Sequence, residues 1–348
     1  MNHHFEDEID RLANEGVALG CEDGLFCPNE FVTREQMASF LARAFDLLVP
    51  ELDVSTTLGA EVMNLTRNVK IEGTAGGRAH VFVRSSSLST IEYVEIRHVG
   101  PRPGSAGMSG RYGLRFHANF DDTRGTIVKG VVVAQAGFHA FVPHLSHGIT
   151  LQGCVSYDTF DHAYWWDTPP TQGIAPDESD DTLIANCLAG YVQREEQGFR
   201  MSGFSLNAGQ NNTIIGCVAV GIQAGGKGFN WPELSHGVWN FRNNVGHNSR
   251  GSGTFVWHNG NTFHDVSGLV AYRNRFAGID HSACNNSFQF SNWLLVDNGD
   301  HGIHLHSGSR RSPTLLTFKN CVVDGPNPIA TTTHNLRPGL TPRSSTAS

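Results

Sequence analysis

From about residue 61 to 325 the chain runs in short stretches of alternating apolar and polar residues, broken by Gly, Asn and Asp. A period of two predicts β-strands, and the breaks predict tight turns between them. The first 48 residues follow a different period. Ile9, Leu12 and Ala13 sit at helical spacing, with Gly16 as a C-terminal stop. Thr33 then opens a second helix, with Gln36 three residues on as in a capping box and Met37, Phe40, Leu41 and Ala44 as its apolar stripe. Residues 49–60 make a linker, and 326–348, rich in Pro, Thr and Ser, predict a disordered tail.

The strands repeat. Gly153-Cys154-Val155, Asn186-Cys187-Leu188, Gly216-Cys217-Val218, Asn244-Val245, Gly268-Leu269, Asn292-Trp293 and Asn320-Cys321-Val322 each follow a short apolar run, at intervals of 33, 30, 28, 24, 24 and 28 residues. A repeating unit of this length with loops of variable size marks a solenoid. The expected fold is mainly β: a right-handed parallel β-helix over 61–325, preceded by a small two-helix module. Cys154, Cys187, Cys217 and Cys321 then fall at one position of the coil and are expected to stack as buried, reduced thiols.

A second alignment gives the coil register near the candidate chemistry. Gly113-Leu114-Arg115-Phe116-His117, Ala140-Phe141-Val142-Pro143-His144 and Ala163-Tyr164-Trp165-Trp166-Asp167 share a pattern. With the bulky residues inward, Arg115, Val142 and Trp165 form one outward column. His117, His144 and Asp167 form the next, at spacings of about 4.8 Å. Thr254–His258, Gly278–Ser282 and Gly302–His306 continue the pattern. They extend the columns as Val256, Asp280, His304 and as His258, Ser282, His306. Pro143 lies within this wall, where proline removes a ladder hydrogen bond and favours a bulge. His139, His162 and His301 precede the small residue of their coils and are expected at turns.

Composition narrows the partners. With 39 glycines and only 17% charged residues the chain suits many short strands. A formal charge of −8 speaks against nucleic acid. No apolar run reaches the ~20 residues that span a membrane. Nor does a signal peptide open the sequence, which fits either a cytosolic protein or a mature or truncated exported one.

Two resemblances favour export. Phe5-Glu6-Asp7, Leu12-Ala13, Gly16-Val17, Gly20-Cys21, Gly24, Phe26-Cys27-Pro28 and Val32 through Ala38 resemble one S-layer homology module. Such modules imply attachment to a cell-wall secondary polysaccharide. The family's Thr-Arg-Ala-Glu ligand motif falls on Thr33, Arg34, Glu35 and Gln36, the last two departing from it; Thr33 and Gln36 serve equally as helix caps. Cys21 and Cys27 flank a short loop and could close a disulfide in an oxidising compartment. Further on, Glu61-Val62, Leu65 through Gly73, Arg111 through His117, His144 and Asp161 through Tyr164 resemble the β-helix of G8-domain proteins. That group includes cell-surface hyaluronidases and fibrocystin-like proteins. The resemblance implies a parallel β-helix and, for some members, cleavage of hyaluronan.

For the column His117, His144, Asp167 three readings stand. It could bind one divalent metal, zinc by its donors or calcium with oxygens from Asp121 and Asp122. It could be a metal-free site. Hydrolysis would need two carboxylates, Asp167 with Asp121, Asp122 or Asp161. Lyase chemistry would need a base such as His144, with Arg111 or Arg115 neutralising a uronate. Or it is a solvated polar ladder. His162 joins the catalytic candidates because it lies in the most family-like stretch. Arg115, Trp165, Asp280, His304 and His306 are the candidate substrate-binding residues, and an acidic polysaccharide is the expected partner.

Overall fold

The computed structural model describes residues 61–102, 110–166, 179–193, 201–206, 208–231, 237–257, 263–281, 287–307, 316–325 and 329–333, with backbone alone at 306–307 and 329–333. The chain divides into two compact units, Met1–Val62 and Met63–Ser348, and every described strand lies in the second. Thr33, Arg34, Glu35, Gln36, Cys21 and Cys27 lie outside the described residues, as do Asp167, His258 and Ser282.

The second unit is a parallel β-solenoid. One wall stacks Val69–Glu72, Val94–Arg97, Val132–Ala134, Val155–Thr159, Leu188–Val192, Val218–Val220, Leu294–Val296 and Val322–Asp324. Between its third and second members from the end, Trp239–His247 and Phe263–Tyr272 run through a bend and contribute to two walls at once. A second wall stacks Val81–Val83, Leu114–Phe120, Phe141–Ser146, Ser202–Ser205, Lys227–Trp231, Thr254–Val256, Ala277–His281, His301–Ser307 and Ile329–Thr333, with Tyr164 bridging Phe141 to Phe204. A third runs from Thr90–Glu92 to Leu316–Lys319.

The Gly/Asn repeat has a backbone cause. Gly130, Gly153, Asn186, Gly216, Asn243, Gly268, Asn292 and Asn320 all have positive φ, from 50° to 69°, at the bend between the third and first walls. Glycine adopts this conformation freely, and Asn is among the few other residues that visit it routinely. The bend residue in the fourth repeat is therefore Asn243, one position before the Asn244 that the sequence alignment used. Asn244 turns inward instead: it accepts the Cys217 N–H at 2.9 Å and donates to the Ile214 carbonyl at 3.1 Å. Cys154, Cys187 and Cys217 do stack, each Sγ 3.4 Å from the preceding backbone nitrogen where the next thiol follows. Cys321 shares their coil position but stands apart and half-buried, beyond Asn244, Leu269 and Trp293.

Aromatic rings stacked in register fill the interior. Phe141, Tyr164, Phe204 and Phe229 follow one another with ring centroids 4.8, 4.5 and 5.1 Å apart and planes within 13°. Each fully buried ring contributes roughly 1.5–3 kcal/mol, and stacking adds about 0.5–1.5 kcal/mol per pair. Pro143 does not break the second wall: it pairs with Phe116, and the register shift falls beyond it, between His117 and Phe120. The segment after residue 325 is not all tail, because Ile329–Thr333 adds a strand to His301–Ser307. Among the described residues no helix is long and apolar enough to cross a membrane.

Candidate functional site

The second wall carries the candidate chemistry. Its register places Leu114 on Phe141 on Tyr164, as the alignment required. Inward Leu114, Phe116, Phe141 and Tyr164 join the core and turn the alternate residues outward. His117 pairs with His144, and their rings stack 4.8 Å apart at 11°. Phe82 extends the stack toward the N-terminal end, 5.3 Å from His117. Both imidazoles are half-buried, and His144 Nδ1 lies 3.4 Å from the Trp166 carbonyl oxygen.

Two residues before His117, Arg115 is covered rather than exposed. Its guanidinium carbon sits 5.2 Å from the Tyr112 ring centroid and 5.9 Å from that of Phe82. Arg111, by contrast, is exposed. Trp165 lies in the outward column, half-exposed, with its ring 3.9 Å from His139 and edge-on to Tyr112 at 6.0 Å.

At the corner before this wall, Tyr112, His139, His162 and Ser202 occupy successive coils. His162 is buried, and its Nδ1 accepts the Ser202 N–H at 3.1 Å, with Ser202 Oγ 2.9 Å away. An Nδ1 that accepts a backbone N–H carries no proton, so the proton sits on Nε2, which faces Asp161 Oδ1 at 3.6 Å. Burial drives the His162 pKa down to about 3. Burial, then repulsion from His162, drives His139 well below its usual value. Both rings are therefore neutral near pH 7, and the 3.6 and 3.8 Å approaches to Asp161 are not ion pairs. Its ring nitrogens thus serve the corner. The Ser202 contact escaped the sequence alignment because the loop before it is long; the small residue Gly203 after it is the signal that would have placed it.

Farther along the wall, Asp280 does pair with His304, at 2.9 Å between Oδ1 and Nδ1. Both are buried, not displayed on an open stripe. Phe276 and His301 pack on His304 with centroids 5.0 Å away. Val256 is not in their column; it pairs with His281, and Phe255 pairs with Asp280. The thread slipped by one residue because Thr254 was aligned with Gly278, whereas Gly253 is the small residue of that coil. For His306 only the backbone is described, paired with Thr332. Asp121 is bound to Arg124 at 2.7 Å, and Arg124 bridges on to Asp181. Among the described residues no group of three His, Cys, Asp or Glu is placed to hold a metal ion.

Outside the solenoid, residues 2–38 match the S-layer homology domain. The chain carries a wall-anchoring domain. Such domains bind secondary polymers of the cell wall, and this one indicates association with the cell surface or S-layer. No curated protein matches the chain.

Proposed function

We propose that the solenoid of this wall-anchored protein acts on an acidic polysaccharide along its second wall. What supports the reading is the half-exposed stack of His117 and His144, with Arg111 exposed on the same coil and Trp165 on a neighbouring one. An indole face suits a sugar ring, and a guanidinium suits a uronate carboxylate. Of the carboxylates that could pair with Asp167, Asp161 is buried between two histidines and Asp121 is tied to Arg124, while Asp122 is exposed. Two-carboxylate hydrolysis would use Asp122; the lyase route needs no carboxylate pair. In the lyase route Arg111 neutralises the uronate, and neutral His144 removes the proton α to its carboxylate. The C–O bond to the leaving sugar then breaks with its electron pair, the leaving oxygen takes up the proton held on the His144 imidazolium, and a 4,5-unsaturated uronate remains. The resemblance to hyaluronidase-like solenoids makes hyaluronan a first substrate to try.

Holding the glycan without cutting it is the second reading. It is favoured by the burial of Asp280 and His304, which form a closed pair. Incubation with hyaluronan, chondroitin and pectin, with and without EDTA, separates the readings. Chain shortening with ultraviolet absorbance of unsaturated ends marks the lyase; shortening without it marks hydrolysis. Retained binding with no shortening leaves the second reading. Loss of activity in EDTA would point to a divalent metal. For the lyase, His144→Ala should reduce turnover at least about 100-fold while leaving the melting temperature nearly unchanged. Asp167→Asn, in the adjoining coil by sequence, tests whether an acid takes part.

A further inference from the structure

Beside the His117–His144 stack, the coil of Val81–Val83 carries two outward side chains with no part in the chemistry above. Val81–Val83 pairs with Leu114–Phe116, and carrying that register one residue on sets Arg84 beside His117. Arg84, His117 and His144 thus fall in one outward column on successive coils. Val81 and Val83 pack against the core, so the alternate residues Phe82 and Arg84 face outward. Phe82 is 46% exposed, and Arg84 is exposed as well. The backbone on both sides of Arg84 is clamped by Asn119, which is buried on the coil of His117. Asn119 Nδ2 donates to the Val83 carbonyl at 3.2 Å, and its Oδ1 accepts the Ser85 N–H at 3.0 Å. Ser85 Oγ then accepts the Ser87 N–H at 3.0 Å, which stiffens the turn that follows. The clamp directs Arg84 outward without engaging its guanidinium. Among the described residues that group makes no ion pair or hydrogen bond. Arg97, Arg124, Arg242 and Arg273, by contrast, each pair with a carboxylate. A second guanidinium, that of Arg115, lies 5.9 Å from the Phe82 ring. On a chain of formal charge −8, two guanidinium groups about one exposed ring make a local field suited to an anion.

We propose that Phe82 and Arg84 form a second acidic-sugar subsite, one coil before the His117–His144 stack. The Phe82 ring takes the face of a sugar, and Arg84 takes the carboxylate of a uronate farther along the chain from the one at His144. The inference rests on the reading of the second wall as the glycan face and adds a selective contact to it. Carboxylates recur along an acidic polysaccharide. Arg84 lies two coil spacings from His144, about 10 Å, so one bound chain meets both. A guanidinium grips a planar carboxylate through two parallel N–H···O bonds, a geometry that an ammonium does not reproduce. The subsite therefore selects for charge on a sugar that is not itself being cut.

Binding of the full chain to hyaluronan and polygalacturonate, and to the carboxyl-reduced, uncharged form of each, tests this. Arg84→Gln should weaken binding of the charged polymers about tenfold and leave that of the reduced ones unchanged. Arg84→Lys should recover only part of the loss. Phe82→Ala should weaken charged and reduced forms by the same factor. Where a charged polymer is cut, Arg84→Gln should raise KM and hold kcat within about twofold. Equal binding of the charged polymers by the wild type and Arg84→Gln, at equal melting temperatures, overturns the subsite and leaves the reading of the wall standing. A wild-type chain that binds neither charged polymer overturns both.

Discussion

At the scale of single residues, burial decides what the histidines can do. His162 and His264 are held neutral, with pKa values lowered by burial to about 3 and about 4. In the unfolded chain an imidazole titrates near 6.5. Below pH ~6.5 the unfolded state therefore takes up protons that the folded state refuses, and stability falls. The loss starts near 6.5 and continues down to about 4 for His264 and about 3 for His162, at about 1.4 kcal/mol per pH unit for each. Above 6.5 these two groups add no slope. Thermal melts from pH 8 to 4.5 should show this decline, and His162→Gln should make it shallower. A melting temperature flat to pH 4.5 would contradict the burial. The sequence placed His139, His162 and His301 at turns of their coils. It did not show which were covered, because burial on an outward face depends on what packs over it. Asp280 and His304 illustrate the limit: their adjacency was legible, while their enclosure was not.

Among elements, small residues and left-handed bends set the coil. A Cβ on Gly113 would lie 2.5 Å from the Ala140 carbonyl oxygen and 2.8 Å from a Val133 methyl. Gly113→Ala should therefore destabilise by about 1–3 kcal/mol, read as a lower denaturant midpoint with an unchanged slope. At the bend, Asn243 has φ 53°. Asn243→Ala should cost about 1 kcal/mol, whereas Asn243→Gly should be near neutral. The strand repeat was legible because this bend repeats the same two residue types, Gly and Asn, in nearly every coil. The one-residue slips at Asn244 and at Thr254 have the same origin. In each, a neighbouring Asn or Thr resembled the true corner residue, and spacing alone could not separate two adjacent candidates. Pro143 misled in the other direction. A proline can occupy a strand when its nitrogen is not called on by the ladder, and the bulge forms a few residues later.

For the whole molecule, the chain joins an S-layer homology domain, which indicates association with the cell surface, to a parallel β-solenoid. Both parts were legible: the first from a dense local motif, the second from a repeat sustained over most of the chain. The site was legible only as far as backbone register carries it, to the His117–His144 stack. Register says nothing of the rings that pack over a strand, which left Arg115 in an outward column when Tyr112 and Phe82 enclose it. Structure determination after soaking with an unsaturated-end hyaluronan oligosaccharide bears on the central claim most directly. Sugar density across Trp165 and the His117–His144 edge, with a carboxylate on Arg111, is the predicted result. Density confined to another wall, or to the first 62 residues, would contradict it.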